Sequence, residues 1–312
     1  MRVTFVYPRC QPTDGGVYPF VQSVTQALKD VETKHQFTFR RVNDGKIEAD
    51  FVWFLTPHYE HVKAPFAMTV WDLGHRVLPE FPEVSLSGWT FDQREAFYSY
   101  VLPRAAIVST GNVHGKAEIQ DFYRISASRI LINPLPVSQL LLDAMPKEAS
   151  DYSKPYLLYP AQFWPHKNHI TLIDAMHELY GFTLICTGSD KGNQQYVEDY
   201  AKSQGIKLFC PGFVTIEQLK WFYLNAYAVV FASLLGPDNL PPLEAAALGV
   251  PLVTSGDLDN PLDPHEWAQA IVKAKKPHFE VPTAKDYAAK IVKTLDTFAP
   301  RRKLWGSDYA HS

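Results

Sequence analysis

The chain has 312 residues, 46% of them apolar and 20% charged, with a formal net charge of −3. This is the balance of a soluble globular protein with room for two ordinary domains, and it gives no electrostatic reason to expect nucleic acid as a partner. Three cysteines, Cys10, Cys186 and Cys210, are odd in number, widely spaced and in no metal-ligand pattern, which suits a reducing, cytoplasmic setting.

Val3 to Pro8 reads as a first strand, too short an apolar run for a signal peptide. The polar loop RCQPTDGG follows, then an amphipathic helix from Tyr18 to Asp30 with Phe20, Val21, Val24, Ala27 and Leu28 on one face. Gly15 and Gly16 lie just before that helix. Strand, paired glycines and helix suit a phosphate cradle, and equally a flexible turn. No GxGxxG occurs, so a dinucleotide-dependent dehydrogenase is not indicated. Phe37 to Val42, Asp50 to Pro57 and Ala67 to Asp72 read as further strands, the last running into the loop LGHRVLPEFPE. A helix from Asp92 to Ala105, the strand AIVST, the helix GNVHGKAEIQDFY and a strand from Arg129 to Pro134 complete the first half. Polar, proline-containing sequence then places a linker near Met145 to Lys154.

The second half restarts with the strand YLLYPA, the loop QFWPHKNH and the helix ITLIDAMHELY. Phe182 to Asp190 is a strand ending in Thr187, Gly188 and Ser189. The helix QQYVEDYAKSQG, the strand IKLFCPGFV and the helix TIEQLKWFYLNA, capped by Thr215, come next. Tyr227 to Ser233 is an apolar run that suits a buried parallel strand. Gly236, Pro237, Asp238 and Asn239 break it; Pro241 and Pro242 open a helix carrying Glu244 in its first turn; Gly249 caps it before the strand PLVTS. HEWAQAIVKAKK and Ala284 to Phe298 are the last helices. The alternation of strand and helix predicts two doubly wound parallel sheets, whose ligands sit at the C-terminal ends of the strands. No apolar run approaches the roughly 20 residues that span a bilayer. The basic residues make no polybasic run, which leaves at most peripheral membrane contact.

LPPLEAAALGVPLVTS resembles the donor-binding signature of retaining glycosyltransferases of the GT-B architecture, the large family-4 (group 1) type. Further stretches match in order: the Gly-Gly pair, WDLGHR, Lys167-Asn168, Gly188-Ser189 and the Gly-Phe213-Val214 turn. The resemblance implies two Rossmann-like domains facing across a cleft: an acceptor-side domain over 1–148, a nucleotide-sugar domain over 149–283, and a last helix and tail over 284–312 returning toward the first. It implies transfer of a hexose from a UDP- or GDP-sugar to a saccharide, glycan or lipid-linked acceptor in polysaccharide biosynthesis, with retention and with no cofactor or metal. Glu244 would bind the ribose. Gly15, Gly16, Gln162, Lys167, Asn168, Asn239 and Leu240 would surround the diphosphate, and Gly188, Ser189, Phe213 and Val214 the rest of the donor. His75, with Asp72 and Arg76, is expected nearest the reacting centre, and His58, Arg76 and Trp71 on the acceptor side.

Three positions depart from the family pattern. Trp71 replaces its histidine, Gln162 its arginine, and Gly236, eight residues before Glu244, the first of its paired glutamates. Asp238, in the same loop, is the expected substitute for that glutamate. Two alternatives accompany the transferase reading: a non-catalytic protein binding nucleotide-sugar or glycan, and a nucleotide-sugar epimerase on the same plan. No carboxylate pair at glycosidase spacing is evident, so a hydrolase is not supported.

Overall fold

In the computed structural model, residues 1–86, 88–149, 155–236 and 239–302 are described. Asp238 lies outside them. The first half runs β1 (Arg2–Tyr7), α1 (Val17–Asp30), β2 (Gln36–Arg41), β3 (Phe51–Phe54), β4 (Phe66–Thr69), α2 (Gly74–Val77), α3 (Pro82–Ser85), α4 (Phe91–Val101), β5 (Ile107–Thr110), α5 (Val113–Tyr123), β6 (Ile130–Ile132) and α6 (Gln139–Asp143). The second half runs β7 (Tyr156–Pro160), α7 (His169–Ala175), β8 (Thr183–Thr187), α8 (Gln194–Ser203), β9 (Leu208–Gly212), α9 (Ile216–Asn225), β10 (Ala228–Phe231), α10 (Leu240–Ala247), β11 (Leu252–Thr254), α11 (Pro264–Val272) and α12 (Ala284–Arg302).

The strands form two parallel sheets, in the orders β2-β1-β3-β4-β5-β6 and β11-β10-β7-β8-β9. Helices cover both faces of each sheet, so central strands such as FVWF, FAMT, IVST and AVVF are buried along their whole length. Each order reverses once. In the first sheet β2 lies on one side of β1 and β3 on the other; in the second, β8 and β10 flank β7. At such a reversal the loops diverge to opposite faces and leave a crevice at the strands' C-terminal ends. The Gly15–Gly16 loop follows β1, and the loops holding Lys167 and Asn239 follow β7 and β10.

The last helix belongs to the first core. Tyr287, Ala288, Ile291 and Leu295 of α12 are buried in one cluster with Val3, Phe20, Val24 and Trp53. Phe20 meets Tyr287 edge-on at 5.6 Å, and Phe51 meets Phe298 at 4.8 Å. Two helical stretches lie outside the expected elements. LGHRVLPEFPE holds the single turns α2 and α3, the latter opened by Pro82, whose missing N–H costs nothing at that place. α6 lies just ahead of the expected linker, capped by the Ser138 side chain on the Leu141 N–H.

Candidate active site

Lys167 sits where the β7 loop turns toward α7. Its Nζ donates to Ser233 Oγ at 3.1 Å and Asn239 Oδ1 at 3.4 Å, and lies 5.1 Å from the centre of the Phe231 ring. Those partners follow β10, so the ammonium bridges the two loops flanking the switch point. Burial lowers its pKa to about 8, against the raising influence of Asp72 and Glu83. A partly desolvated cation with only neutral ligands is suited to an anion. Asn239 also donates from Nδ2 to the Gly236 carbonyl at 3.0 Å. It is the N-cap of α10, and Pro241 and Pro242 have no N–H. The helix therefore offers an anion only the Asn239 and Leu240 N–H groups in its opening turn.

Glu244 is not in the first turn, as expected, but is the fifth residue of α10, 6% exposed. Tyr223 of α9 donates its hydroxyl to Glu244 Oε2 at 2.7 Å, and burial pushes the carboxyl pKa up to about 7. Gln162 lies on the other side of the β7 loop. Its Nε2 donates to Ser189 Oγ at 3.0 Å and its Oε1 accepts from Trp164 Nε1 at 3.1 Å. Gly188 permits that packing: at φ +155° a Cβ there would stand 2.3 Å from the Ala161 carbonyl oxygen. Phe213 is 54% exposed beside half-buried Val214, at the mouth of a cavity of about 270 Å³.

The first domain closes on this surface. A Cβ on Gly15 would be 3.1 Å from Gln162 Nε2, one on Gly16 3.0 Å from Leu240 Cδ1, and one on Gly74 3.5 Å from Leu235 Cδ1. Glu83 of α3, 7% exposed, accepts the His166 backbone N–H at 2.9 Å and pairs with His166 Nδ1 through the same oxygen, Oε1. Its Oε2 is buried and has no hydrogen-bond partner among the described residues. Gly15, Gly16, Gln162, Lys167, Gly188, Ser189, Asn239 and Leu240 thus share one interdomain crevice.

Several expected residues do not join it. His75 is 0% exposed: its ring stacks on Tyr98 at 5.8 Å and its Nε2 meets Tyr123 Oη at 3.2 Å. Burial and the nearby Arg94 lower its pKa, so it is a neutral histidine buried in the first domain. Arg76 is taken by Glu95, with two contacts of 2.6 Å; that hydrogen bonding holds Glu95 at a pKa of about 2. Asp72 does not contact His75, but its charge raises the pKa of Lys167 and of His166 and so reaches the crevice. Its Oδ1 accepts the Gly74 N–H at 3.0 Å and stands 3.7 Å from Arg94. Trp71 packs edge-on to Phe20 at 5.6 Å, its indole N–H buried without a partner among the described residues. His58 is exposed and bonded to Thr56 Oγ1 at 2.9 Å. The Asn168 side chain is engaged by Pro261 and Thr171, at 3.1 and 2.7 Å, and shapes the loop instead of facing a ligand.

Sequence reasoning passed over Glu83, His166, Ser233 and Tyr223. His166 adjoins Lys167 and could have been drawn in by that neighbour. The others carry no local signal. Among the described residues, no group of three or more His, Cys, Asp or Glu could hold a metal ion, and no helix is long and apolar enough to cross a membrane.

Residues 143–304 match the model of the family described as glycosyl transferases group 1. Over 133 residues the chain is 29% identical to the O-antigen chain mannosyltransferase RfbU of Salmonella typhimurium, a match covering 37% of each protein. Among solved structures, sucrose-phosphate synthase of Thermosynechococcus elongatus aligns with a TM-score of 0.66 at 16% identity, over 97% of this chain and 98% of that one. Anabaena Alr3699/HepE, solved with UDP and glucose, aligns at 0.63 and 14% identity, over 98% and 100%. WaaG, a glycosyltransferase involved in lipopolysaccharide biosynthesis, aligns at 0.62 and 14%, over 95% of each chain. Two parallel-sheet domains of this kind are the GT-B architecture. The chain therefore belongs to the group 1 glycosyltransferases.

Proposed function

We propose that the protein transfers a hexose from a UDP- or GDP-sugar to a hydroxyl of a saccharide, glycan or lipid-linked acceptor, with retention of anomeric configuration, as a family-4 enzyme of polysaccharide biosynthesis. The observation that carries this reading is Lys167, held by Ser233 and Asn239 at the open end of α10. There the ammonium and the Asn239 and Leu240 N–H groups would take the diphosphate and stabilise the charge that grows on it as the sugar leaves. Glu244 would accept from the ribose hydroxyls, and Phe213 and Val214 would flank the base. No metal or cofactor is needed in this scheme, because lysine and helix supply the positive potential. The mannosyltransferase relative and the neighbour holding UDP and glucose support a hexosyl donor. Three free cysteines suit a cytoplasmic site of action.

A thermal-shift screen of UDP, GDP, ADP and their sugar conjugates tests the donor site, since a ligand of the folded state raises the midpoint by mass action. One nucleotide should stabilise the protein, and Lys167→Ala and Glu244→Ala should abolish the shift. Donor turnover with candidate acceptors then tests transfer. The occupied side chain of Gln162 and the core position of Trp71 favour one second reading, a protein that binds nucleotide-sugar without transferring it. It predicts the same shifts with no turnover.

A further inference from the structure

Sugar transfer leaves one proton to be moved, that of the acceptor hydroxyl. The expected candidate, His75, is sealed in the first core. His169 is 1% exposed and stacked on Phe163 at 4.7 Å. Trp71 does not titrate. His166 differs from these. It sits one residue from Lys167, in the crevice, and pairs with a carboxylate from the opposite domain. Glu83 Oε1 takes both the His166 backbone N–H and Nδ1, which fixes the ring's position and puts the proton of the neutral ring on Nδ1. Nε2 then carries the lone pair, and among the described residues nothing in the protein bonds it.

We propose that Glu83 and His166 form the proton-accepting pair for the acceptor hydroxyl, assembled only when the two domains meet. This rests on the transferase reading and names a further residue pair for that reaction. The acceptor oxygen bonds to the anomeric carbon as the bond from that carbon to the phosphate oxygen breaks. The hydroxyl proton passes to His166 Nε2, and the electron pair of the broken bond leaves on the nucleoside diphosphate. Glu83, already hydrogen-bonded to Nδ1, stabilises the imidazolium, which returns the proton to the diphosphate or to water. His166 adjoins Lys167, so the base and the cation for the leaving group come from one loop. Burial and Lys167 keep His166 below its ordinary pKa, while Glu83 and Asp72 oppose them, so the ring is neutral and ready to accept at neutral pH.

The test measures transfer by the protein with its best nucleotide-sugar, from pH 3.5 to 9, for wild type, His166→Gln and Glu83→Gln. Thermal shift with the matching free nucleotide is run on each. His166→Gln should lower kcat by about 10²- to 10⁴-fold, the usual range for a lost general base. It should also abolish the acidic limb of the pH profile, while nucleotide affinity stays within about threefold. Glu83→Gln keeps the side-chain size and should lower kcat while moving that limb. A purely structural contact would instead lower nucleotide affinity and melting temperature, with the limb in place, and would overturn the proposal. So would a His166→Gln enzyme with kcat within threefold of wild type. A wild-type protein that binds nucleotide but transfers nothing would overturn this pairing and the transferase reading together.

Discussion

Gly16 and Leu240 touch across the interdomain crevice, a Cβ on Gly16 standing 3.0 Å from Leu240 Cδ1. Gly16 caps α1 at φ −59°, a conformation alanine adopts freely, so the backbone gives no reason for glycine there. The reason is the approach of two helix N-termini from opposite domains. Gly16→Ala should leave the melting temperature of the free protein within about 2 °C and weaken nucleotide binding about tenfold, or 1.4 kcal/mol. Titration calorimetry reads it; unchanged affinity would mean the nucleotide binds without this contact.

Lys167 should make nucleotide binding sensitive to alkaline pH. Its pKa is lowered from 10.5 to about 8, so the free protein loses this charge as pH rises through 8, whereas the unfolded chain keeps it until 10.5. Between these values the unfolded state binds more protons, and this group's contribution to stability rises with pH. Nucleotide affinity moves the other way and should fall between pH 8 and 9.5. Lys167→Gln should bind weakly at every pH, without that slope. Affinity independent of pH in the wild type would remove Lys167 from the diphosphate site.

Glu244 has the opposite sign. A carboxyl raised from 4.5 to about 7 binds its proton more tightly when folded. Its contribution to stability is therefore lost as pH rises from 4.5 through 7, by about 3 kcal/mol at most. Glu244→Gln keeps an acceptor for Tyr223 and should raise the melting temperature at pH 8 while leaving it nearly unchanged at pH 4.5. Nucleotide affinity should fall at least tenfold. A variant with higher stability and undiminished affinity would make Glu244 a core residue only.

His75 gives the control. His75→Ala opens a cavity between Phe91, Tyr98 and Tyr123 and should cost about 2 to 4 kcal/mol in urea unfolding. At 20 °C, turnover per folded molecule should stay within twofold of wild type. A loss of a hundredfold would restore His75 to the chemistry.

The alternation of strands and helices is legible because a parallel sheet covered on both faces needs short, wholly apolar strands, and FVWF or AVVF has no other use in so polar a neighbourhood. The loops that line the interdomain crevice are legible too, because glycines and a lysine at the ends of strands leave a local pattern. Burial leaves none. His75 and Trp71 stand four residues apart after one strand, and only packing shows that His75 is buried and that Trp71 lies half-buried against the first core. Glu83 and His166, 83 positions apart, meet through domain docking, which no window of sequence contains.

The placement of α12 bears on how the protein is made. During synthesis the first sheet emerges early, but four of its core side chains, Tyr287, Ala288, Ile291 and Leu295, arrive only after the whole second sheet. Domains generally fold as they leave the ribosome, the N-terminal one first. Here the earlier domain must wait, its α1 face uncovered, while the later one can finish without it. The nascent chain thus carries an apolar seat on the first of these two domains until the whole second sheet has been made, and α12, which follows that sheet, is the helix that shields it.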